Sequence, residues 1–373
     1  MQIKSLMLIF MLSAMLTATT LSQSFTSLAP SSGASSDGAA QKEGHMPEIK
    51  RNKPIVRELK GGEAHDYLIR LKQGEYAHLV VEQRNIDVIV GVFDAAGKSL
   101  GEFDSPTGLG GTEHVRFIAD AGGEYRIVAR ALKTEAYGGS YEVKVKVIRK
   151  ATEQDKHIVA AIKAQMLGDE LRAKDETRRQ SLEQYAKALE LWRAAHDRAG
   201  EASTLRAIGF AYVRLNDDQQ AYQYFNRSLT IWGEIGDRRS AAYIHMIFAT
   251  IHTRQGRHEQ AAKERLSALP LWRDLGDQIE EASTLAVIGL SYARMVDKDK
   301  AFDHCRQSLE LSRATGNRSL QANSLFWFGG VCELLGETEQ ARDYFQQSLA
   351  LWREMGRRSQ EAELLKRIEK LKP

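Results

Sequence analysis

Trp192, Trp232, Trp272 and Trp352 lie on a 40-residue lattice that only Ser312 interrupts. Four of the five tryptophans obey it, so the C-terminal half of the chain is an internal repeat. A period of this length denotes one supersecondary unit stacked several times, because a single unit cannot bury its own apolar face. Such stacks offer long binding surfaces more readily than closed catalytic pockets.

Other columns share the period. Gly209, Ala249, Gly289 and Gly329 form one, preceded by Ile208, Phe248, Ile288 and Phe328 and followed three residues on by Tyr212, His252, Tyr292 and Cys332. Twelve residues after the glycines come Ala221, Ala261, Ala301 and Ala341, and four further Phe225, Arg265, Cys305 and Phe345. The apolar spacing predicts two helices per unit, the first over about 202–215 and its equivalents. Breaks fall at Asn216-Asp217-Asp218, Gly256-Arg257, Val296-Asp297 and Gly336-Glu337. The second helix carries the alanine and ends near the tryptophan. Gly236-Asp237, Gly276-Asp277 and Gly316-Asn317 follow, where a glycine can end one helix in the left-handed conformation and the Asp or Asn can cap the next. Small residues in fixed columns suit helices packed about 8–10 Å apart.

This arrangement of small, apolar, aromatic and alanine positions resembles the tetratricopeptide repeat over about 156–373. The usual unit has about 34 residues; six more lengthen its helices by about one and a half turns in total. Two departures stand out. Leu205, His245, Leu285 and Leu325 occupy the column of the motif's first-helix tryptophan, and the usual inter-unit proline is missing. A degenerate unit precedes the four, with Tyr185, Ala188 and Trp192 in the second-helix columns and 160–171 as its first helix. Residues 360–371 read as a charged closing helix.

Ahead of the repeats the pattern changes. Lys4 followed by an apolar run over 6–16 reads as a secretory signal with cleavage near Ser22, too short for a confident membrane span. The expectation is export to the periplasm or beyond, or anchoring if the signal is kept. Residues 23–47 are rich in Ser, Gly and Ala and read as a linker that cannot build a core. From 48 to 150 the period is two: Tyr67, Ile69 and Leu71; Val115, Phe117 and Ala119; Tyr125, Ile127 and Val128; Tyr141, Val143, Val145 and Val147. About eight short strands at this spacing predict an antiparallel β-sandwich, and 151–373 the α-solenoid. The run Asp87-Val88-Ile89-Val90-Gly91-Val92-Phe93-Asp94, then Gly122-Gly123-Glu124-Tyr125 and Gly139-Ser140-Tyr141, resembles the jelly-roll-like prepeptidase C-terminal domain. The order signal, sandwich, repeats is similar to the N-terminal half of bacterial proteins that carry a caspase-like CHAT peptidase. A peptidase His/Cys segment after the repeats is absent from this sequence, so the resemblance transfers no peptidase activity.

Candidate chemistry is sparse. Cys305 and Cys332 fall in core columns and read as small buried residues. An exported protein could join them, but no base stands beside either as a nucleophile requires. His245 and His252 replace Leu and Tyr or Cys in apolar columns, and His258 falls in a loop; none has metal-ligand spacing. Asp87, Asp94 and Asp104 flank strands, where turn chemistry outweighs Ca²⁺ binding. Gly108-Leu109-Gly110-Gly111 does not open a helix, so it is no phosphate loop. No cofactor or metal is expected. A net charge of +3 gives no global case for nucleic acid.

Arg214, Arg254 and Arg294 form a second 40-residue lattice. In the family the first helix of each unit lines the concave groove. The resemblance therefore implies a peptide-binding groove of Arg206, Phe210 and Arg214; Met246, Thr250 and Arg254; Leu290 and Arg294; and Phe326. The arginines either brace acidic loops such as Asp217 and Asp297 or form a rail for an acidic, extended peptide. The matching columns lack the Lys and Asn of the family's carboxylate clamp. The leading expectation is a non-catalytic, exported scaffold for a protein or peptide. The rivals are the sensor half of a split CHAT peptidase system and a glycan- or envelope-binding sandwich.

Overall fold

The computed structural model describes residues 46–104, 110–131 and 138–371. The expected signal and nearly all of the linker lie outside them, as do Gly108 and Leu109. The chain divides into two compact units, one ending at Tyr224 and the other beginning at Phe225.

The first unit opens with eight strands: β1 Ile55–Leu59, β2 Ala64–Leu71, β3 Glu75–Arg84, β4 Val88–Phe93, β5 Ser99–Phe103, β6 Gly110–Ile118, β7 Gly123–Ala131 and β8 Gly139–Lys150. Two antiparallel four-stranded sheets form, ordered β1-β8-β3-β6 and β2-β7-β4-β5. Every connection but the β4–β5 hairpin crosses from one sheet to the other, which is the jelly-roll way of closing a double sheet. The alternation sets the core: Tyr67, Ile69, Leu71, Val115, Phe117, Tyr125 and Ile127 face inward in one cluster. One expected alternation changes phase. A register shift opposite His78 and Leu79 leaves Lys146 as an extra residue in β8. Beyond that bulge Ile148, not Val147, packs on the core, because one inserted residue exchanges the two faces of a strand. Asp94 spends its carboxylate on the Ala96 and Lys98 N–H groups of the hairpin turn, each at 2.9 Å.

Eleven described helices follow: α1 Glu153–Ala173, α2 Arg178–Ala194, α3 Arg198–Arg214, α4 Asp218–Glu234, α5 Arg238–Arg254, α6 His258–Asp274, α7 Gln278–Arg294, α8 Lys298–Ala314, α9 Arg318–Leu334, α10 Thr338–Glu354 and α11 Arg358–Lys370. A capping box of Thr152 and Asp155 starts α1 two residues after β8. Ile162 and Met166 of α1 then pack against the sandwich core. Arg116 of β6 pairs at 2.6 Å with Asp197, the N-cap of α3, so sheet and first helices share one unit.

From α2 to α10 every helix has 17 residues and every junction three, and twice that sum is the 40-residue period. The junctions repeat one device. Their middle residues all have positive φ: His196, Asn216, Gly236, Gly256, Gly276, Val296, Gly316, Gly336 and Gly356. At Gly236 the next N–H, of Asp237, bonds back to the Trp232 carbonyl at 2.9 Å, and the Gly236 N–H to Gly233. This pair of bonds satisfies the last carbonyls of the helix. Asp237 then accepts from the Ser240 N–H at 2.9 Å and opens α5. Because the aspartates cap, each first helix begins about four residues earlier than the apolar pattern alone implies.

The small columns hold the hairpins together. A Cβ on Gly289 would meet Cys305 Sγ at 2.6 Å and the Ala301 carbonyl at 2.8 Å; one on Gly329 would meet the Phe345 ring at 2.6 Å. Ala221, Ala261, Ala301 and Ala341 are fully buried. The four lattice tryptophans are buried too, and Ser312 replaces one by turning its hydroxyl onto the Leu309 carbonyl at 2.9 Å.

Candidate ligand-binding face

In the second unit the first helices of successive repeats touch one another. Arg239 of α5 pairs with Asp277, the N-cap of α7, at 2.6 Å. One turn on, Tyr243 donates to Glu280 at 3.2 Å. Arg239 also lies over the Trp272 ring, 5.8 Å from its centroid, and Tyr243 meets that ring edge-on. Burial pushes the Glu280 carboxyl up to about 7, with Asp277 adding to the rise. Helices α7 and α9 pack directly. A continuous row of first helices therefore runs through this unit.

The expected groove residues fall on those helices but differ in what they offer. Arg254 is exposed at the end of α5, and Met246, Thr250 and Arg294 are half-buried. Thr250 returns its hydroxyl to the Met246 carbonyl at 2.9 Å. Leu290 is only 6% exposed, so it packs within the fold rather than lining an open groove. Phe326 is covered by the chain itself. Arg367 of α11 lies 5.0 Å over its ring, held at 3.2 Å by Glu333. Arg206, Phe210 and Arg214 are half-buried on α3 of the first unit. The two loop carboxylates named as braces have other engagements: Asp217 caps α4 through the Gln220 N–H, and Asp297 caps α8 and pairs with Lys300 at 2.9 Å.

The histidines separate. His245 bonds Glu264 through Nδ1 at 2.7 Å. His258 is not in a loop but opens α6, since Arg257 is already the N-cap. Cys305 and Cys332 are free thiols, both buried. Burial, with the other thiol close by, raises the Cys305 pKa, and burial pushes Cys332 up to about 12, so neither is a thiolate at neutral pH.

One charged residue sits in an otherwise apolar column of the repeat. Arg265 occupies the column of Phe225, Cys305 and Phe345, and it is 2% exposed. It donates to the Ser291 hydroxyl on α7 and, at 3.0 Å, to Thr253 on α5. Burial and the neighbouring Arg294 push its pKa down to about 10. The signal was a charged residue in an apolar column.

Comparison with known proteins agrees with the repeat geometry. Residues 171–234 and 288–354 match the tetratricopeptide repeat family model. Between the two stretches the same helix lengths and junctions continue. No curated protein matches. Among solved structures, a signal-transduction ATPase with a tetratricopeptide-repeat sensor from Pyrococcus horikoshii is 18% identical, at a TM-score of 0.42. The match covers 58% of this chain and 37% of that one, so the chain spans little more than a third of that ATPase. Aspartyl phosphate phosphatase F from Bacillus subtilis is 16% identical over 58% of this chain and 56% of that one, at 0.47. The pre-peptidase C-terminal domain of a Bacillus anthracis collagenase is 17% identical over 29% of this chain and all of that one, at 0.24. The chain thus carries tetratricopeptide repeats of 40-residue period behind a double-sheeted β domain.

Proposed function

We propose that the protein is a non-catalytic, exported interaction scaffold that binds an acidic, extended segment of a protein on the first-helix face of its repeats. The repeats themselves carry the reading, since stacked helix pairs present a long surface rather than an enclosed pocket. In the second unit Arg254 and Arg294 end α5 and α7 one repeat apart, and the half-buried Met246 lies about two turns before Arg254 on α5. Arg214 holds the same repeat position on α3. Guanidinium groups offer paired donors to carboxylates, which suits acidic side chains. Export rests on the N-terminal sequence alone.

The test is selection of a random peptide library on the purified full chain. Retained peptides should be enriched in Asp and Glu, and their affinity should fall with salt, because exposed charges are screened over about 8 Å at physiological ionic strength. Enrichment of basic or uncharged sequences would refute the acidic preference.

A further inference from the structure

Among the described residues, the buried guanidinium of Arg265 has no carboxylate partner. Its two terminal nitrogens meet neutral hydroxyls, Ser291 and Thr253, and its Nε is buried without any acceptor. The charged groups acting on it worsen the balance. After burial, Arg294 further depresses the pKa of Arg265; burial and then both arginines depress that of His258, whose own Nδ1 is buried without a partner among the described residues. Burying a charge without a counter-charge is costly, and a second like charge beside it adds to that cost. The carboxylate adjacent in sequence, Glu264, is engaged by His245. Phe225 and Phe345 show that the same column takes an aromatic ring, so the repeat itself does not require a cation here.

We propose that the wedge between α5, α6 and α7, formed by Arg265, His258, Arg294, Thr253 and Ser291, binds an oxyanion, a phosphate or carboxylate group. The anion supplies the acceptor that the Arg265 Nε lacks and a counter-charge for that buried guanidinium. His258 and Arg294 are half-buried where Arg265 is not, so they form the entrance and Arg265 the floor. The site shares Arg294 with the peptide reading, but its floor, Arg265, belongs to a second helix and its test uses Arg265→Phe and no peptide, so the two readings fail separately.

The experiment is thermal unfolding of the full chain in chloride, inorganic phosphate and acetate at matched ionic strength, for the wild type and for Arg265→Phe, which restores the residue of two sister repeats. The wild type should show a saturable anion-specific rise of about 5 °C or more at a hundredfold excess over Kd. Arg265→Phe should melt at or above the wild type in chloride and lose that rise. A response to phosphate alone assigns a phosphoryl ligand, and one to acetate alone a carboxylate. No response to either, or an equal rise in both proteins as general salt exclusion gives, overturns the proposal. Should the variant fail to fold, the His258 ring resonances of the wild type decide. They should shift saturably with phosphate or acetate, and resonances that stay fixed under both overturn it.

Discussion

Gly289→Ala measures how closely the two helices of a repeat approach. Two opposed effects act at this position. In a helix interior alanine is favoured over glycine by about 0.8–1.0 kcal/mol. Against this, the new Cβ would sit 2.6 Å from Cys305 Sγ and 2.8 Å from the Ala301 carbonyl, both well inside contact distance. The carbonyl is backbone and cannot turn away, so α7 and α8 must separate. Overpacking of this kind costs about 1–3 kcal/mol. The net effect is a loss of about 0–2 kcal/mol, or a fall in Tm of up to roughly 8 °C for a unit of this size. Cys305→Ala in the same chain removes the sulfur but leaves the carbonyl, so the double variant should recover part of the loss, with a coupling of about 1 kcal/mol. Thermal and urea unfolding of the four proteins give the cycle. A single variant more stable than the wild type, with no coupling to Cys305, would show that the glycine column is not a close contact and would refute the packing argument.

Val296→Gly should stabilise the protein by about 0.5–1 kcal/mol. A β-branched residue at φ 62° is strained by about 1–2 kcal/mol, glycine returns about 0.4–1 kcal/mol through the unfolded chain, and a side chain 79% exposed gives up little burial; urea midpoints decide, and a lower midpoint counts against the strain. In the β domain, burial and then Arg116 hold His78 and His114, bonded to each other at 3.0 Å, down at about 3 and about 4. Lowered folded pKa values mean the unfolded chain binds more protons, so their contribution is complete above about 6.5 and is lost as pH falls toward 4; a His78→Gln/His114→Gln variant should flatten that slope in the β-sheet circular dichroism signal, and an unchanged slope refutes the assignment. Glu280 has the opposite sign: its raised pKa makes the repeats more stable as pH falls from about 7 to about 4.5, and Glu280→Gln should raise Tm at pH 8 and abolish that trend.

The repeat was legible because its signals are local. A glycine after the tryptophan and an aspartate after the glycine specify one junction each, and the fixed count between them specifies the helices. The strands were legible for the same reason, as far as Lys146, where a bulge that depends on the neighbouring strand reversed the phase. What a column cannot say is what lies opposite it. Leu290 and Phe326 occupy groove positions by count, yet one is packed within the fold and the other lies beneath Arg367 from forty-one residues on. Val296 stands where the turn needs a left-handed residue, and no propensity would have chosen it. Arg265 was visible as an anomaly, but its meaning came only from the hydroxyls and cations that α5, α6 and α7 bring around it.

The central claim, that the first-helix face binds an acidic segment through its arginines, is tested most directly by the double variant Arg254→Gln, Arg294→Gln. Its affinity for the selected acidic peptides is measured by titration calorimetry beside a melting curve. The account predicts at least a tenfold loss of affinity, about 1.4 kcal/mol, with the cooperative helical melt retained. Unchanged affinity in a folded double variant would contradict it.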